Sequence, residues 1–125
     1  MKRRILNFGI SRFPNATESS QVLKVGEEID EHYDEVPYSE AWYEELSDVY
    51  IAAVHGYERF QNKFCRFIVE QIEERSDFVI IAEYVEKKMI ENEQREWNGD
   101  KHVKKKTIKR INYKTGDIIE ETINA

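Results

Sequence analysis

Ser39-Glu40-Ala41-Trp42-Tyr43-Glu44-Glu45-Leu46-Ser47-Asp48-Val49 opens the segment whose reading decides the fold. Ser39 is a residue that caps helices, because its hydroxyl can accept from a free amide of the first turn. From there Trp42, Leu46, Val49, Ala53, Tyr57 and Phe60 follow in steps of three and four, the period of a helix with one face on a core. The stretch also carries Glu45 and Asp48, whose spacing of three makes them neighbours on the helix surface. At about 100° per residue Glu45 borders the apolar stripe and Asp48 lies further round.

Upstream, the spacing predicts a helix over 20–34, capped by Ser19 or Ser20, with Val22, Val25, Ile29, Tyr33 and Val36 on one line and Pro37 closing it. Glu28 and Glu31 form a second carboxylate pair there, away from the apolar line. Two helices joined by a short turn pack as antiparallel neighbours. Four carboxylates can then meet at one point, and they repel unless a cation lies between them. All-oxygen ligands of this kind suit a hard divalent ion such as magnesium.

Downstream, 62–74 and 77–97 also read as helical, with a break at Arg75-Ser76-Asp77; Gly56 and Asn62 are the two positions that could interrupt what precedes. On the last of these helices Ile81, Tyr84 and Val85 run on into Lys88, Asn92 and Arg95, so an apolar seam turns polar partway along. A lysine, an amide and a guanidinium in line suit phosphate oxygens. Asn98-Gly99-Asp100 ends the helices, and 107–113 and 117–123 read as strands flanking Lys114-Thr115-Gly116, a hairpin turn signal. Residues 1–18 read as irregular, because Pro14 and Asn15 break any regular pattern. The expected organisation is therefore an irregular segment 1–18, a helical domain 19–97, and a basic linker with a β-hairpin over 98–125.

At 125 residues, 40% hydrophobic and 35% charged, the chain suits one core and one domain. A lone Cys65 offers no disulfide and no zinc cluster, and no run approaches the roughly 20 apolar residues of a membrane span, so a reducing, cytoplasmic setting is expected. Charge is divided: 18–97 holds 21 acidic and 8 basic residues, net -13, and the remainder 4 acidic and 11 basic, net +7. An acidic body disfavours stable nucleic-acid binding. His32, four residues after Glu28, could support a metal site; His55 and His102 have no companions at ligand spacing.

The stretches 21–31 (Gln21-Val22-Leu23-Lys24-Val25-Gly26-Glu27-Glu28-Ile29-Asp30-Glu31), 44–49 and Lys88 through Arg95 together resemble the MazG-like all-α nucleoside triphosphate pyrophosphohydrolases. The family signature is an ExxE pair followed by an ExxD pair, matched here by Glu28, Glu31, Glu45 and Asp48, and the resemblance covers about residues 19–97. Asp30 departs from it, standing where many relatives have glycine, and the segment 57–77 is longer than in compact members.

The resemblance implies an antiparallel helical bundle and magnesium, or manganese in its place, held by Glu28, Glu31, Glu45 and Asp48. It further implies phosphates on Lys88, Asn92 and Arg95, and release of pyrophosphate from a nucleoside triphosphate. Glu27 and Glu44 are spare carboxylates for proton transfer. Excess apolar surface, with Phe64, Phe67 and Ile68 adding to it, and the habit of the family point to a homodimer or homotetramer. A phosphoribosyl-ATP pyrophosphatase and a non-catalytic acidic helical protein that binds a basic partner are the alternative readings.

Overall fold

The computed structural model describes residues 1–98, 106–111 and 118–123, with side chains described through residue 95. The body is all-α: α1 (Lys2–Arg12), α2 (Glu18–Tyr33), α3 (Glu40–Phe60), α4 (Lys63–Glu73) and α5 (Phe78–Asn98). Helix α3 is the axis, since α1, α2, α4 and α5 all pack against it. Its role follows from its sequence. Trp42, Leu46, Val49 and Ala53 are buried as their spacing requires, and Ala52, Val54 and Gly56 are buried on the flanks, so this helix meets neighbours on several sides.

Ser39 caps α3 by accepting from the Trp42 amide at 3.2 Å. The helix stops at Gln61, whose left-handed backbone (φ 51°) turns the chain, and Asn62 then caps α4 by accepting from the Cys65 amide at 2.9 Å. Gly56 lies inside α3 without interrupting it. A Cβ there would overlap the Cys65 sulfur, so the glycine is what lets α4 lie close.

Helix α2 runs antiparallel to α3, as three contacts with nearly constant residue sum attest. Gln21 Nε2 donates to the Ala52 carbonyl at 2.9 Å, Glu28 lies by Glu45, and His32 Nδ1 meets the Trp42 carbonyl at 3.0 Å. Two expectations for α2 are corrected. Its cap is Thr17, not Ser19 or Ser20, with Ser20 closing a reciprocal capping box, so the helix starts at Glu18. Its buried line runs Gln21, Val25, His32, whereas Tyr33 and Val36 are 78% and 71% exposed. Polar Gln21 and His32 hide there because α3 carbonyls accept from or meet them, which an apolar pattern cannot register.

The expected irregular segment 1–18 is also corrected, since Lys2–Arg12 is helix. Ile5 and Gly9 are buried and Phe8 packs against the core, at steps of three and four. Arg4 ties α1 to α5 through Glu86 (Nη1 at 2.8 Å) and Glu93 (Nε at 2.9 Å). A Cβ on Gly9 would stand 2.7 Å from the His55 ring, so only glycine permits this approach. Only then does the chain become irregular, around Pro14.

Strands β1 (Lys106–Ile111) and β2 (Ile118–Ile123) pair antiparallel, with Lys106 opposite Ile123 and Ile111 opposite Ile118. The turn expected at 114–116, the helix-ending pair 99–100, His102 and the rest of the basic stretch 101–105 lie outside the described residues. Among the described residues no helix is long and apolar enough to cross a membrane.

Candidate metal centre

The antiparallel pairing of α2 and α3 brings together carboxylates far apart in sequence. Glu28, Glu31 and Glu45 each present an oxygen, and these oxygens lie within 4.8 Å of one another. Their surroundings differ. Glu45 is 3% exposed, Glu28 half-buried and Glu31 exposed, so the group opens outward from a buried floor. Oε2 of Glu45 is buried and has no hydrogen-bond partner in the protein.

Burial and crowding act in the same direction on the inner two. Glu45 is pushed up to about 8 by burial first and by the charges of Asp48, Glu31 and Glu28 next. Glu28 also rises to about 8, through burial, then Asp48 and Glu31, with a hydrogen bond between the Glu28 and Glu31 carboxyls adding to it. Lys24, one turn earlier on α2, acts in the opposite sense on Glu28.

Asp48 takes a different place from the one its spacing suggested. It stands outside the close group of three and pairs with Lys88 of α5, Nζ to Oδ2 at 3.6 Å. Burial raises its pKa, while Lys88 and, more weakly, Arg95 act to lower it. Burial alone would depress Lys88, but the carboxylates of Asp48, Glu44, Glu91 and Glu45 outweigh it and hold the ammonium above its ordinary value. The four expected ligands are therefore three clustered carboxylates and a fourth that couples them to a cation.

Of the expected phosphate residues, Lys88 is joined to the carboxylates directly. Asn92 is half-buried on the same side of α5 one turn on, and Arg95 is exposed, its charge felt at Asp48. Seam residues Ile81, Val85 and Met89 are buried behind them. His32 stays out of the cluster. It packs against Trp42 (ring centroids 4.5 Å apart) and is depressed by burial, so it fastens α2 to α3. His55 and Cys65 are buried elsewhere in the core.

Lys24 and Glu44, which act on Glu28 and Lys88 respectively, were given no ligand or phosphate role by motif reading. The signal for Lys24 was present, four residues before Glu28 on the same helical face. The chain matches no protein-family model, no curated protein and no solved structure.

Proposed function

We propose that this chain is a magnesium-dependent hydrolase of the MazG-like type, cleaving a ribo- or deoxyribonucleoside triphosphate to monophosphate and pyrophosphate. One observation carries the reading: the partnerless Oε2 of Glu45, buried beside the oxygens of Glu28 and Glu31. A buried acceptor with no donor is costly, and crowded carboxylates add repulsion. A divalent cation relieves both, and an all-carboxylate donor set suits magnesium, with manganese as substitute.

Glu28, Glu31 and Glu45 would hold the ion, with Asp48 at the edge of the same field. When bound, magnesium offsets phosphate charge and makes an attached water more acidic. The protein's own groups do the rest. Asp48 orients Lys88, whose ammonium binds phosphate oxygens. Arg95 adds a planar fork, and Asn92 orients an oxygen or a water. Water adds to the α-phosphorus, the bond from that phosphorus to the bridging oxygen breaks, and pyrophosphate leaves with the electron pair. Of the spare carboxylates, Glu44 is favoured as acceptor of the water's proton, because it is half-buried and its charge reaches Lys88, whereas Glu27 is exposed.

The test is to incubate the purified chain with a nucleotide panel and magnesium, and to measure pyrophosphate and monophosphate together. Equal amounts of the two products are expected, and Glu45→Gln and Asp48→Asn should each abolish them. Undiminished turnover in either variant would sink the assignment. Absence of both turnover and calorimetric magnesium binding would leave the acidic interaction protein as the better reading.

A further inference from the structure

Helix α4 is apolar around more of its circumference than one core contact explains. Cys65, Val69 and Ile72 are buried against α3, while Phe64 and Phe67 are 41% and 55% exposed and Ile68 half-buried. At about 100° per residue the two sets cover roughly 200° of arc, twice the stripe needed to face a single core. Phe64, Phe67, Ile68 and Gln71 form the outer stripe, centred between Phe67 and Ile68. Along its solvent side run Lys63, Glu70 and Glu74, all exposed.

The charges on that border select the occupant. A positive residue stands at the amino end and negative residues at the carboxyl end of one edge, so the edge complements itself when a second copy lies antiparallel. We propose that this face of α4 is the contact between two copies of the chain, related by a two-fold axis passing between Phe67 and Ile68. In that arrangement Phe64 lies opposite Gln71 and Phe67 opposite Ile68, with each apolar stripe covering the other. Lys63 of either copy falls within a turn of Glu70 and Glu74 of the other, because antiparallel helices bring like edges together. Among the described residues neither Lys63 nor Glu74 has an ion pair within its own chain, whereas Glu70 already holds Arg66 at 2.8 Å. Lys63 with Glu74 is thus the pair that the contact supplies. One helix face is small for an interface, so the dimer forms in the micromolar range.

Sedimentation equilibrium of the full chain over a concentration series reads this directly. Lys63→Glu should weaken association roughly tenfold, because attraction becomes repulsion at both symmetry-related positions. Adding Glu74→Lys to it should restore most of the loss. Oxidised Phe67→Cys should give a disulfide-linked dimer, since the axis brings the two positions together, while Val79→Cys, 73% exposed on α5, should not. A chain that is monomeric at the highest concentration, a dimer indifferent to Lys63→Glu, or equal crosslinking at both cysteines would overturn the proposal.

Discussion

Glu45 shows what one buried side chain costs and what it prepares. Its raised pKa means that the folded, metal-free protein takes up a proton that the unfolded chain would release. The stabilising contribution of that proton is complete below about 4.5 and is lost as pH rises through about 8; Glu28 behaves alike. In the presence of a chelator, Glu45→Gln should therefore melt higher than the parent at pH 9, and the difference should close toward pH 4.5. Thermal melts across that range check it, and a variant that melts lower at pH 9 would contradict the assigned burial. Lys88 supplies a second prediction. Lys88→Met leaves Asp48 without its cation and should lower kcat by about a hundredfold or more on any substrate the parent turns over, whereas Lys88→Arg should retain part of the rate. Glu45 and Asp48 could be picked out from spacing alone. That Asp48 pairs with a cation while Glu28 and Glu31 join Glu45 could not, because it depends on how α5 crosses α3.

The elements divide by how much of their packing is apolar. Helix α3 was legible from Ser39 to Phe60 because a nearly continuous apolar line and a serine cap agree. Helix α2 was legible in existence but not in facing, since Gln21 and His32 occupy buried positions through hydrogen bonds to Ala52 and Trp42. Helix α1 was missed: two arginines and a glycine obscured the Ile5, Phe8, Gly9 line, and its partners Glu86 and Glu93 lie more than eighty residues away. Two predictions belong here. Ile5→Ala, at a fully buried position, should cost about 2–5 kcal/mol by denaturant unfolding; a cost near zero would mean that α1 does not dock. Gln61→Gly should stabilise by about 1 kcal/mol, because it relieves a left-handed backbone at φ 51°, less whatever is lost with the Gln61 to Glu58 hydrogen bond.

For the molecule as a whole, net charges of -13 over residues 18–97 and +7 elsewhere make salt a confounder in any metal experiment. Magnesium should raise the melting temperature above that in sodium chloride of matched ionic strength, by mass action on the folded state, and Glu45→Gln should lose most of the difference. Equal shifts in both salts would reduce the effect to general screening. The packing around α3 has one more consequence. Cys65 is fully buried, and its sulfur fills the space that any side chain at residue 56 would need. Burial also holds the thiol above its ordinary pKa. A thiol reagent cannot enter that gap while α4 lies on α3, so the labelling rate of this single cysteine counts how often the two helices part. It gives the breathing of the bundle a built-in clock.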